Sequence, residues 1–197
     1  MSSAPERRPG DMPHATEVRR TDGESITHRD NREVRILVAG DASLTMTWSR
    51  YGHCERGPDL HVHREHTDAF YVLAGTLTYN LGPDGERVVR APAGTVVVVP
   101  PDVAHAFRND EPEDAVFLNV HTPDEGFAQY MRDLRDGRPA RFDSYDLPVD
   151  GQRPAADAVV AEGRYESDDL VLVATPDGVD VAIPGGGPAL RFVDDGA

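Results

Sequence analysis

Five of the eight histidines lie between positions 61 and 121, in a stretch whose other residues read as strands. His61 and His63 are two apart, so on a strand both imidazoles leave the same face. Asp68 follows across a turn at the start of the next strand, and His105 arrives on a later one, after the turn Pro100-Pro101-Asp102. If these strands close into a barrel, three imidazoles and one carboxylate meet at one interior point. Burying so many histidines in an apolar interior costs free energy unless a metal or a hydrogen-bond network organises them. Three nitrogens and one oxygen suit one divalent transition metal ion, Fe, Mn, Ni, Co, Cu or Zn, and the donor set does not choose among them. His66 and Glu65 are expected on the solvated turn, with His66 a substitute ligand only if that turn rearranges. His121 shares a strand face with Phe117 and Asn119, which makes it either a cavity residue or a strand-end surface histidine.

The elements that must position these groups are short strands separated by turn residues. They are read at 34–39, 43–51, 60–63, 69–74, 76–81, 88–90, 95–99, 105–109 and 115–121. The breaks between them include Gly40-Asp41, Gly57-Pro58, Pro83-Asp84-Gly85 and Pro92-Ala93-Gly94. Many short strands at this spacing imply an all-β antiparallel sandwich or barrel. One helix is expected after Thr122-Pro123-Asp124-Glu125, which supplies an N-cap, a proline at the first helical position and a capping-box glutamate. Phe127, Tyr130, Met131 and Leu134 then share one face, and Gly137 is a natural stop. That helix is expected outside the sheet or over one mouth of the barrel.

Residues 1–32 read as a flexible N-terminal segment, residues 33–137 as the barrel with its capping helix, and residues 138–197 as a C-terminal extension. Within the extension, 170–174 and 179–183 form a candidate hairpin across Thr175-Pro176-Asp177-Gly178, followed by a flexible tail from Gly185-Gly186-Gly187 onward.

Strand alternation gives an expected pocket. On 44–51 one face carries Leu44, Met46, Trp48 and Arg50, the other Thr45, Thr47, Ser49 and Tyr51, and the apolar set is expected to face inward. Met46, Trp48, Phe70, Tyr79, Phe107 and His121 then make an aromatic substrate pocket around one polar centre. Such a pocket suits a flat aromatic or hydrophobic small molecule.

Bulk composition excludes several function classes. The chain of 197 residues carries 35 acidic and 20 basic residues, a formal charge of −15. Every basic residue is arginine and none is lysine. Acid is spread along the whole length, so phosphate-backbone binding is disfavoured and no nucleic-acid partner is expected. Cys54 is the only cysteine, which excludes an intrachain disulfide and fits a reducing cytoplasm. No apolar run approaches the roughly 20 residues of a membrane-spanning helix, and the N-terminus lacks the apolar core of a secretory signal.

The spaced residues resemble the cupins. Their first motif is HxH, three or four residues, Glu, six residues, Gly; here His61-Val62-His63 is followed by four residues, Asp68, six residues and Gly75. Their second is Gly, five residues, Pro-x-Gly, two residues, His, three residues, Asn; here it reads Gly94, Pro100-Pro101-Asp102, His105 and Asn109. The resemblance covers roughly residues 33–121 and implies a cupin (double-stranded β-helix, jelly-roll) barrel with one or two peripheral helices. It implies His61, His63, Asp68 and His105 as metal ligands, with Asp68 also the catalytic carboxylate, and a homodimer. Three departures stand out. Asp68 replaces a glutamate and is one methylene shorter, which leaves it a longer ligand bond, a water-mediated one, or the role of a base behind the ligands. Asp102 replaces the turn glycine, and Glu55 stands where a glycine precedes the first motif.

The segments Pro58–His63, Ala69–Gly75 and the Phe-Leu-Asn-Val-His-Thr-Pro run look like the small single-domain cupins grouped with quercetin dioxygenases. That resemblance implies a dioxygenase acting on an aromatic or enolisable small molecule. The alternatives are a non-redox metal-dependent isomerase or cyclase, and a cupin that binds a small molecule without turnover.

Overall fold

The computed structural model describes residues 15–41 and 43–194. In chain order the strands are β1 (Thr16–Arg19), β2 (Glu24–Arg29), β3 (Arg32–Asp41), β4 (Leu44–Tyr51), β5 (His61–Val62), β6 (Thr67–Ala74), β7 (Thr76–Leu81), β8 (Arg87–Pro92), β9 (Thr95–Val99), β10 (His105–Arg108) and β11 (Ala115–Thr122). Helix α1 (Phe127–Arg135) follows, then β12 (Tyr145–Asp146), β13 (Val159–Glu162), β14 (Arg164–Glu166), β15 (Val171–Thr175), β16 (Gly178–Ala182) and β17 (Ala189–Val193).

Two of the three sheets make an antiparallel jelly roll. One has the order β12-β5-β10-β7-β8, the other β13-β9-β6-β11-β4-β3-β2. Their facing sides enclose Phe70, Val72, Leu77, Tyr79, Val97, Val99, Phe107 and Phe117. The tight turn from β6 to β7 requires Gly75: its φ is +69°, and a Cβ there would sit 2.2 Å from the carbonyl oxygen of Asp114. Asp102 adopts φ +68° at the turn where the motif has glycine, a conformation that a short polar side chain tolerates better than most.

The third sheet was not expected. It runs β1-β17-β16-β15-β14, with β1 parallel to β17 and the other pairs antiparallel. Its Leu172, Val179, Val181, Leu190 and Phe192 share a core with Leu44, Met46, Trp48, Ala69, Tyr71, Val96, Val98, Leu118 and Val120. Those last residues are the outward side chains of β4, β6, β9 and β11. The seven-stranded sheet is therefore buried on both faces over these strands, which explains runs such as Val96-Val97-Val98-Val99.

Several expectations are corrected here. Residues 15–32 are not a flexible lead-in: β1 closes the third sheet and β2 extends the seven-stranded one; residues 1–14 lie outside the described residues. The hairpin of the C-terminal extension forms as β15 and β16, but β17 continues past the glycines, so the expected flexible tail is a paired strand up to Val193. Only residues 195–197 of it lie outside the described residues. The helix does not begin at the capping-box signal. Thr122-Pro123 is a cis peptide, and α1 starts after Gly126, which sits in the left-handed region without a side-chain cap. No described helix is long and apolar enough to cross a membrane.

Candidate metal centre

The β5–β10 pairing sets His61 directly opposite His105, and the β6–β11 pairing sets Asp68 opposite His121. His63 follows β5 and is anchored by its own carbonyl, which accepts the N–H of Asp102 at 2.7 Å. All five side chains are buried. The ligand atoms of His61, His63 and His105 lie within 4.8 Å of one another.

Hydrogen bonds at the outer nitrogens decide which way each ring presents its lone pair. Nδ1 of His61 is 2.8 Å from the carbonyl of Asp59, and Nδ1 of His105 is 3.2 Å from that of Val103. Nδ1 of His63 meets the carbonyl of Asp143. A carbonyl only accepts, so each Nδ1 carries a proton and turns its Nε2 inward, a lone pair wherever the ring is neutral. Nε2 of His61 and Nε2 of His63 are 3.2 Å apart. Burial, followed by the neighbouring His105 and His63, pushes His61 down to about 3, so its Nε2 is a lone pair at neutral pH. The spacing is close to that of two nitrogens sharing one ion at ~2.1 Å. The donor chemistry thus fits a transition metal, and backbone acceptors behind ligand imidazoles are the usual support for one.

Asp68 sits beside this trio. Its Oδ2 is 3.2 Å from Nε2 of His105 and 3.7 Å from Nε2 of His63, and its Oδ1 is 3.4 Å from Nε2 of His121. Asn119 donates its side-chain N–H to Oδ1. Burial alone would raise this carboxyl, but the imidazoles of His121, His105 and His63 outweigh it and hold it well below the usual range. Asp68 is therefore an anion.

The site opens into a cavity of about 390 Å³, with His61, His63, Asp68 and His121 at its floor. Phe107, Phe117 and Tyr51 form the barrel side, and Phe127, Tyr130, Met131 and Leu134 of α1 roof the mouth together with Phe142. The expected apolar stripe of α1 is thus a cavity wall. Phe127 lies over His121 with centroids 3.9 Å apart, and Tyr130 stacks on Phe142 at 5.5 Å.

Of the expected pocket residues, Phe107 and His121 line this cavity. Phe70 and Tyr79 are fully buried behind Phe107, with ring centroids 5.0 and 5.9 Å from it. Met46 and Trp48 do not line it. Both lie on the opposite face of β4, against the third sheet, while Thr47, Ser49 and Tyr51 face the cavity. The inside of this strand is polar because it borders the site, and the outside is apolar because another sheet covers it.

His66 is also displaced from its expected place. It has no solvent exposure, and its Nδ1 is 2.9 Å from a carboxylate oxygen of Asp143. That carboxylate also accepts the backbone N–H of Arg64 at 3.0 Å and of Glu65 at 2.7 Å. Burial opposes the charge on Asp143, yet these two N–H groups prevail and keep its pKa low. Phe142 and Asp143 thus fold back over the first motif from a segment whose sequence carries no periodic signal. Burial, then His63, pushes His66 down to about 4, and burial pushes His121 to about 3.

Residues 47–121 match the family model described as the cupin domain, and this stretch of the chain is a cupin domain. None of the curated proteins compared with the chain matches it. Among solved structures, KdgF from Halomonas sp. is similar at 18% identity, covering 55% of this chain and 94% of that one, with a TM-score of 0.47. The polyketide cyclase RemF from Streptomyces resistomycificus is similar at 24% identity, covering 53% and 77%, with a TM-score of 0.45. A Streptomyces PAC13 variant with uridine is similar at 17% identity, covering 52% and 77%, with a TM-score of 0.40.

Proposed function

We propose that this protein is a metal-dependent dioxygenase of the quercetinase-like type, acting on an aromatic or enolisable small molecule. The observation that carries the reading is the pair of inward nitrogens of His61 and His63, 3.2 Å apart at the floor of a cavity walled by aromatic rings. His61, His63 and His105 would hold a divalent ion there. When bound, that ion supplies charge stabilisation for a deprotonated substrate oxygen and access to dioxygen chemistry.

The chain's own residues do the rest. Tyr51, Phe107, Phe127 and Phe142 offer flat apolar faces that select a planar substrate and keep water from the floor. Asp68 is the anionic acceptor within the cavity for a substrate hydroxyl proton, and Asn119 fixes its orientation by occupying Oδ1. This makes Asp68 the general base, and its contacts to His105 and His63 keep it beside the ion.

Oxygen uptake with a panel of flavonols and catechols, on protein loaded with iron, manganese or nickel, tests the reading. Uptake with one metal and one substrate class is the expected result. If no metal supports uptake, the dioxygenase reading is wrong. Product formation without uptake would then mark a non-redox isomerase or cyclase, and binding without turnover a small-molecule-binding cupin.

A further inference from the structure

The histidine cluster is larger than one ion needs. Ligand atoms of His63, His66 and His121 also lie within 4.8 Å of one another, and all three side chains are buried. The Nδ1–H of His66 is committed to Asp143, which leaves its Nε2 as a lone pair. Among the described residues Nε2 of His66 has no hydrogen-bond partner, and neither has Nδ1 of His121. Both side chains are almost wholly shielded, at 0% and 2% exposure. A buried polar atom that has left water without finding a partner calls for an explanation. Asp68 sets the tautomer of His121. Its Oδ2 faces His105 and His63, whereas its Oδ1 faces His121 at 3.4 Å. That oxygen lies beside Nε2 of His121, so the anion favours a proton on Nε2 and leaves the partnerless Nδ1 as the lone pair.

We infer that the cavity floor binds a second divalent cation, held by Nε2 of His66 and Nδ1 of His121, beside the position formed by His61, His63 and His105. His63 adjoins both positions, but its Nδ1 is taken by the carbonyl of Asp143, so its single inward Nε2 serves one ion, the first. Two imidazole nitrogens make a donor set for zinc, iron, cobalt or nickel rather than magnesium or calcium. The inference rests on the first position binding an ion as proposed above, and the two fail in different ways.

The full chain, stripped of metal and titrated with zinc, is weighed by mass spectrometry under native conditions. Two zinc ions per wild-type chain are expected, one in His66→Ala/His121→Ala and one in His61→Ala/His105→Ala. Unchanged circular dichroism and melting of the stripped variants show that they fold. One zinc per wild-type chain overturns the inference whatever the variants do, which keeps the test decisive if a variant fails to fold. Two ions retained in His66→Ala/His121→Ala overturn it as well. Two retained in His61→Ala/His105→Ala instead overturn the first position, and with it the reading on which the second rests.

Discussion

Oδ2 of Asp68 lies 3.2 Å from Nε2 of His105, while Oδ1 of the same carboxylate accepts the side-chain N–H of Asn119. The shorter side chain therefore still reaches the histidine trio, with the register of β6 and β11 setting Asp68 opposite His121 and Asn119 two residues along, opposite Phe70. Asp68→Asn keeps the volume but removes the charge that balances a cation in a buried site. Metal affinity, read by competition with a chromophoric chelator, is expected to fall about 10–100-fold, as it does when the groups supporting ligands are removed. Asn119→Ala is expected to fall in the same direction by a smaller factor. Wild-type affinity in both variants would remove Asp68 from the centre.

Asp143 ties the segment before β12 to the first motif through three donors: the N–H groups of Arg64 and Glu65 and Nδ1 of His66. In Asp143→Ala all three lose their acceptor, and that of His66 is fully buried. An unmet buried donor costs ~1–3 kcal/mol. For a chain of this length, each kcal/mol lowers Tm by ~2–4 °C, so calorimetry should register a clear drop. Asp143→Asn keeps one acceptor oxygen and should recover part of it.

Strand periodicity puts His61 and His63 on one face, while Asp68 and His105 join them only through the motif spacing that resembles the cupins. What covers and backs the site was not legible. Phe142 and Asp143 sit in aperiodic sequence and reach His63 and His66 only through the fold-back of the chain. The burial of His66 follows from that fold-back, so no local pattern could show it. Leu44, Met46 and Trp48 were assigned inward on the rule that apolar faces point to the core. The rule was sound, but the core they join lies on the far side of the sheet. It was invisible because the third sheet is built from β1 and β14–β17, strands from opposite ends of the chain.

Stability should depend on pH in a direction set by the buried imidazoles. An unfolded histidine takes up its proton near 6.5, whereas folded His61 and His121 hold off until about 3 and His66 until about 4. Between these values the unfolded state binds more protons, so stability is full above pH 6.5 and falls as the pH drops toward 4. Each histidine contributes a slope of up to about 1.4 kcal/mol per pH unit. Urea unfolding of the metal-stripped protein at pH 7, 6 and 5 reads this directly. A midpoint that stays constant over that range would mean that these rings are not held neutral.

Trp48 offers a probe of the third sheet, since it is the only tryptophan and is buried in the core that β15–β17 share with β4. Phe192 on β17 is fully buried in the same core. Phe192→Ala should cost about 3–5 kcal/mol, the usual range for emptying a buried phenylalanine site. Deleting residues 164–197 should do more, because it uncovers the outward faces of β4, β6, β9 and β11 together. The emission of Trp48 should then shift to the red as its ring meets water. Because the metal centre lies on the other face of the same sheet, zinc binding by a truncated chain that still folds should persist. Unshifted emission after truncation would mean that the third sheet does not cover Trp48. Lost zinc binding in a folded truncated chain would mean that this sheet, and not the barrel alone, holds the histidines in place.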